Sequence, residues 1–179
     1  ILDNKTNAGL GKALKKGLQE ALKIAGPEDV IITMDSDNSH NPNQVPQMMY
    51  KIEEGNEIVI ASRYRPGSEI HGLSQFRKWV SFLAGSLFIL FAPIPGVRDY
   101  TYRSSILSRG FEEYEESLIR ETGFSCMVEL LLKLNKFKPK VSEIPMILRY
   151  DLKLSSSKMK IWTTMKKTIQ VLYNYKTGF

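Results

Sequence analysis

An α/β fold with a mostly parallel sheet is what this sequence predicts, on three observations. Helical and extended patterns alternate as α-β-α-β from Gly9 to Ser62. The extended runs are short and apolar, as in strands covered on both faces. Charged residues follow directly after those runs, where ligands of parallel sheets collect.

Residues 9–23 place Leu10, Leu14, Leu18 and Leu22 four apart with lysines on the other side, which predicts an amphipathic helix. Ala25-Gly26-Pro27 stops it, and 29–34 reads as a buried strand ending in Asp35-Ser36-Asp37. Asn41-Pro42 supplies an N-cap and a first-turn proline for a helix reaching about Glu54. Residues 57–62 form the next strand, and strands separated by helices imply right-handed crossovers. Asp35, Asp37, Arg63 and Tyr64 therefore fall at the carboxyl ends of strands.

No residue from Trp79 to Val97 is charged. Ser81, Gly85, Ser86, Pro93, Pro95 and Gly96 interrupt the run, so 76–95 is read as a buried or interfacial helix and not as a membrane span. Arg77, Lys78 and Trp79 suit a membrane surface; a plain core helix accounts for the apolar run equally well. Beyond it, 125–134 predicts a helix, 141–150 a strand containing Pro145, and 156–175 a closing basic amphipathic helix. Its stripe is Ile161, Trp162, Met165, Ile169 and Leu172.

At 179 residues, with 42% apolar and 25% charged side chains, the chain has room for one domain, 1–179, of ordinary globular composition. That excludes a disordered tail, a collagen-like chain and a disulfide scaffold. Cys126 is the single cysteine, which agrees with a reducing compartment. The net charge of +6 is uneven: after Asp151 there is no acid, while Lys153, Lys158, Lys160, Lys166, Lys167 and Lys176 follow. This end faces an anionic surface or water. Ile1-Leu2-Asp3-Asn4 shows neither an initiator Met nor a signal-peptide pattern, and the chain is read as part of a longer one.

Two aspartates one residue apart beyond a strand suit a hard divalent cation bridging two phosphates. Such acids also cap helices and terminate strands. Asp35-Ser36-Asp37-Asn38-Ser39 fits, in addition, the D-x-D-x-S pattern of phosphatases in which the first Asp is a nucleophile. Arg63 and Arg77 flank one loop and suit a shared phosphate, with surface pairing as the plainer alternative. His40 and His71 lack zinc spacing; His40 reads as a turn or supporting group and His71 as part of a mobile loop.

Four segments, Asn7-Ala8-Gly9-Leu10-Gly11-Lys12-Ala13, Met34 to Pro42, Ala61 to Gly67 and Ser157-Lys158-Met159, occur in the order seen in polyprenyl-phosphate mannosyltransferases. The chain resembles these dolichol-phosphate mannose synthase-like enzymes, inverting GT-A glycosyltransferases of family two. The resemblance implies a GT-A-like (Rossmann-like) sheet lacking or not showing its N-terminal strands. It implies transfer of a hexose, mannose first, from a nucleotide-sugar donor (GDP-mannose, or a UDP-sugar) to a polyprenyl phosphate at the cytoplasmic face of a membrane, with no nucleic-acid partner. Asp35, Asp37 and Ser39 would hold Mg²⁺ or Mn²⁺; Asp35, Asp37, Gly11 and Lys12 would face the donor. Arg63, Arg77, Ser81 and Lys153 would hold the acceptor phosphate, and catalysis would rest on Asp37, Arg63 and Arg77. A catalytically silent membrane-associating nucleotide-binding module is the alternative outside enzymes.

The sequence departs from that family in three places. The upstream P-x-Y-N-E strand and the acidic pair for the nucleoside are absent, so the donor base is unread. The turn expected after Asp99-Tyr100-Thr101 is missing, as if residues were skipped. Lys153 or Arg149 stands where an Arg usually precedes Ser-Lys.

Overall fold

The computed structural model describes residues 9–101, 105–107, 119–153 and 161–178. The helices are α1 (Leu10–Ile24), α2 (Val45–Glu53), α3 (Gln75–Phe91), α4 (Cys126–Leu134) and α5 (Ile161–Thr177). The strands are β1 (Ile31–Thr33), β2 (Ile58–Ser62), β3 (Glu69–His71), β4 (Ser105–Leu107), β5 (Val141–Pro145) and β6 (Ile147–Arg149).

β1, β4, β2 and β5 form a sheet in that order, and β3 pairs with β6 in a second one. β2 and β5 run parallel, whereas β4 is antiparallel to both β1 and β2. Three of the four strands thus point one way, as the α-β alternation predicts. The inserted β4 is the antiparallel exception in this mostly parallel sheet: it enters between β1 and β2 from a later part of the chain, which alternation cannot reveal.

β2 explains why its sequence reads as a continuous apolar run, since every residue in it is buried. Ile58 and Ile60 join a core with Leu18 of α1, Phe88 of α3, Val171 of α5 and the residues of α4. Val59 and Ala61 point to the other face, against Met48 of α2, Ile144, Met146 and Leu148. All nine residues of α4 are buried, including Glu129 and Lys133. The two charges compensate one another: Lys133 Nζ lies 2.7 Å from Glu129 Oε1, while Glu129 Oε2 accepts the N–H groups of Arg120 and Glu121 at 2.9 and 2.8 Å.

Asn41 caps the turn before α2 by accepting from the Asn43 N–H, as its sequence position predicts. The extended run 141–150 breaks at Met146 into two strands in two sheets, and Gln44 bridges the break. Its Nε2 donates to Pro145 O at 2.7 Å and its Oε1 accepts from Ile147 N at 3.0 Å. His71 lies in β3, paired with β6, so the expectation of a mobile loop between Arg63 and Arg77 is corrected.

α3 ends where the prolines begin, and Tyr100 anchors that end. Its hydroxyl donates to Ala92 O at 2.9 Å and accepts from Ile94 N at 2.8 Å, and its ring stacks on Phe88 at 5.3 Å. Phe88 is therefore core, while Trp79, Phe82, Leu83, Leu87 and Leu90 are exposed. On α5 the buried face runs through Thr168 and Val171, leaving Trp162 and Ile169 of the expected stripe exposed. No helix among the described residues is long and apolar enough to cross a membrane. The motif residues Asn7, Ala8 and Ser157 to Met159, and the start of the helix expected from residue 156, lie outside the described residues.

Candidate active site

The acidic segment after β1 is a tight loop that folds onto its own carboxylates. Asn38 adopts φ 65°, a left-handed conformation that asparagine tolerates better than most residues, and this turns the chain back. Asp37 Oδ1 then accepts both the N–H of Ser39, at 3.1 Å, and its hydroxyl, at 2.5 Å. Asp37 Oδ2 pairs with Lys153 Nζ at 2.5 Å. Burial alone pushes the Asp37 carboxyl up, but the bonds from Lys153 and Ser39 outweigh it and hold the group down at about 2.

Asp35 is supported by a histidine. Its N–H donates to His40 Nδ1 at 3.2 Å, which leaves the proton of a neutral ring on Nε2, 3.9 Å from Asp35 Oδ2. His40 is buried and forms a bridge with Leu148, and the Arg149 N–H donates to Ser39 O at 2.9 Å. The loop is thereby sewn to β6, and the turn after β6 delivers Lys153 to Asp37.

A cavity of about 200 Å³ opens between α3 and α5, with Arg63, Arg77, Ser81, Thr101 and Tyr150 among an otherwise largely apolar wall. Arg63 is fixed there from behind. Its Nε and Nη2 donate to Asp99 Oδ2 and Oδ1 at 2.8 and 2.6 Å, and Nη2 also donates to Thr101 Oγ1 at 2.6 Å. Tyr64 ties the same place to α3 by donating to Ser81 Oγ at 3.0 Å and meeting Phe82 edge to face; burial pushes the Tyr64 phenol up. Lys153 stands over the Tyr150 ring at 5.4 Å, so the turn at 150–153 links the acidic loop to the cavity wall.

Asp35 and Asp37 fit a hard divalent cation by donor chemistry: both offer carboxylate oxygen, and the ammonium on Asp37 shows that the position takes a positive charge. Among the described residues no group of three or more His, Cys, Asp or Glu could hold a metal. An ion here needs the donor's phosphate oxygens to complete its shell. Ser39, expected as a ligand, is instead buried and spends its hydroxyl on Asp37. Lys153, expected at the acceptor phosphate, sits on Asp37.

Gly11 is placed by packing. Its N–H donates to Thr122 O at 3.0 Å, and a Cβ there would stand 1.8 Å from Glu121 O. Lys12 is exposed on α1. Sequence reasoning missed Gln44, Tyr150, Glu143 and the grip of Asp99 on Arg63. The one available signal was the Arg98-Asp99 pair that ends the long uncharged run.

Comparison with known proteins gives the family and the fold. Residues 1–114 match the family described as Glycosyl transferase family 2. The chain belongs to that family, and the phosphatase reading of Asp35 to Ser39 is set aside. It is 30% identical to the dolichol-phosphate mannosyltransferase of Pyrococcus furiosus over 138 residues, 76% of this chain and 37% of that protein. With the undecaprenyl-phosphate mannosyltransferase of Micrococcus luteus it shares 28% identity over 164 residues, 89% of this chain and 64% of the relative. The chain thus spans between about a third and two thirds of the length of these relatives.

Among solved structures, glucosyl-3-phosphoglycerate synthase from Mycobacterium tuberculosis in complex with Mn²⁺, uridine-diphosphate and phosphoglyceric acid superposes with a TM-score of 0.65 at 19% identity. The match covers 93% of this chain and 54% of that one. A second mycobacterial protein gives 0.67 at 16% identity, over 97% and 53%. These likenesses bear on the fold, which is that of the GT-A glycosyltransferases, present here in part.

Proposed function

We propose that the complete protein is an inverting glycosyltransferase that moves a hexose, mannose first, from a nucleotide diphosphate sugar to a polyprenyl phosphate at a membrane surface. The cavity between α3 and α5 carries this reading. It joins two guanidinium groups to a wall of hydrocarbon, the combination that an amphiphile with a phosphate head requires. The names of the relatives point to the same acceptor class.

The chemistry needs no general base, because a phosphate monoester with a second pKa near 6 is largely dianionic at neutral pH. Its oxygen attacks the anomeric carbon directly while the bond to the diphosphate breaks. The obstacle is repulsion between two anions, and arginine donors at the acceptor reduce it. A divalent ion, Mg²⁺ or Mn²⁺, held by Asp35 and Asp37 would neutralise the departing diphosphate. GDP-mannose is the first donor to test and a UDP-sugar the second.

The membrane belongs to the same proposal. Of the exposed apolar residues of α3, Leu83 and Leu87 line this cavity with Arg77, Trp79 and Phe82 line the adjoining groove with Lys78, and Leu90 follows further along the helix. That face suits the cytoplasmic surface of a bilayer, with the protein held there peripherally or through segments outside this chain.

Transfer of labelled mannose from GDP-mannose to a polyprenyl phosphate in mixed micelles, with Mn²⁺, tests the reading in the complete protein. Arg77→Lys is expected to raise the acceptor KM about tenfold and leave donor affinity near wild type, because lysine cannot reproduce the guanidinium fork. Absence of transfer from either donor, with nucleotide binding intact, would establish the silent-module alternative.

A further inference from the structure

Two buried carboxylates stand behind the candidate active site without touching its cavity: Asp99 binds Arg63, and Glu143, whose Oε2 lies 3.1 Å from Arg65 Nε, holds the backbone of Asp99. Asp99 has no exposed side-chain surface, and Glu143 on β5 has none either. Glu143 Oε1 accepts the N–H groups of Arg98 and Asp99 at 2.7 and 2.8 Å, which fixes the backbone that carries Asp99. Asp99 Oδ2 accepts from both the N–H and the Nε of Arg63, at 3.0 and 2.8 Å, while Oδ1 takes Nη2 at 2.6 Å. The main chain and the side chain of Arg63 are thus held by one carboxylate. Thr101 Oγ1, the further Nη2 partner, lies 3.5 Å from Asp99 Oδ1 and closes the cluster.

We propose that Asp99 and Glu143 are positioning residues for the acceptor phosphate: Glu143 sets the 98–99 backbone, and Asp99 clamps the Nε–Nη2 edge of Arg63, so that the guanidinium meets the cavity in a single orientation. The inference rests on the reading of Arg63 as an acceptor-phosphate residue.

Burial of two acids is expensive unless each is satisfied by charged or backbone donors. A plain counter-ion for Arg63 would need only one carboxylate at the surface. This arrangement instead places the clamp under full burial and ties it to β5, the strand paired with β2, whose end carries Arg63. The clamp also neutralises most of the charge on Arg63. It therefore serves the acceptor through the direction of its donors, and Arg77 on α3 contributes the net positive charge.

Four variants of the complete protein test this with a polyprenyl phosphate in mixed micelles, GDP-mannose and Mn²⁺: Arg63→Lys, Asp99→Asn, the two combined, and Thr101→Val. Each is read for acceptor KM, kcat, Mn²⁺-dependent GDP binding and melting temperature. Asp99→Asn is expected to raise the acceptor KM tenfold or more with GDP affinity unchanged. The double variant should be no worse than Arg63→Lys alone, because both remove the same oriented fork. Thr101→Val, which removes one hydrogen bond and no buried charge, should raise the KM about three- to tenfold and keep the fold if Asp99→Asn loses it.

If Arg63→Lys leaves the acceptor KM unchanged while the enzyme transfers sugar, the reading of Arg63 fails, and the inference with it. If Arg63→Lys raises that KM but neither Asp99→Asn nor Thr101→Val does, only the positioning role is overturned. Independent, multiplying losses in the double variant would also overturn it, as would a lowered melting temperature with normal acceptor KM.

Discussion

Lys153 and Asp37 form the one ion pair that joins the acidic loop to the turn after β6 among the described residues, and replacing Lys153 by Met isolates its worth. The Asp37 carboxyl stands at about 2 against an ordinary 3.8, a difference equivalent to about 2 kcal/mol. Ser39 supplies part of that effect, and a quarter of the Asp37 side chain is exposed, so Lys153 accounts for about 1 kcal/mol after allowance for solvent screening. Because the folded carboxyl is held below its unfolded value, the contribution is fully present above pH 4 and is lost as pH falls through about 2. Urea unfolding of wild type and Lys153→Met should therefore differ by about 1 kcal/mol more at pH 6 than near pH 2. A stability difference that stays constant from pH 6 to pH 2 would refute the assignment, since loss of lysine packing alone does not titrate in that range. The same change removes an internal cation from a site assigned to a metal. Titration with Mn²⁺ in the presence of saturating GDP should show about fivefold tighter binding for the variant.

Other outcomes follow from the geometry of the site and of α3. Asp37→Asn should abolish the Mn²⁺ dependence of donor binding, measured by calorimetry with GDP in the presence and absence of the ion. The double change Phe82→Asp/Leu90→Asp, at two exposed positions of α3, should sharply reduce co-sedimentation with anionic vesicles while melting stays near wild type. Wild-type binding should weaken as salt rises and retain an apolar remainder. Phe88 is unsuitable for this test because it packs against Tyr100. Gly11→Ala drives a Cβ against the Glu121 carbonyl and should cost about 1–3 kcal/mol, visible as a lowered melting temperature.

Much of the fold was legible because local patterns and burial agree. The leucines of α1 recur at helical spacing, Asn41-Pro42 marks a helix entry by hydrogen-bond chemistry alone, and the run 58–61 is apolar throughout because both faces of β2 are covered. The acidic pair and the arginine motif were likewise visible, since strand-end charges stand out against apolar runs. Part of the site was hidden because its partners are far apart in the chain. Lys153 lies 116 residues from Asp37, and Asp99 lies 36 from Arg63. No periodicity records such pairs.

The sequence by itself determined the α/β alternation, the acid pair at a strand end, and the family whose motifs it carries. Those features are local: each depends on the spacing of a few neighbouring residues and the dihedral angles they prefer. Only the tertiary structure decided that β4 enters the sheet antiparallel, that Ser39 and Lys153 both serve Asp37, and that Phe88 turns inward while Phe82 stays exposed. It also decided that Arg63 is held by a carboxylate fixed from β5. These are matters of which distant side chains share a buried volume, and burial makes each charge seek whichever partner the packing brings within reach.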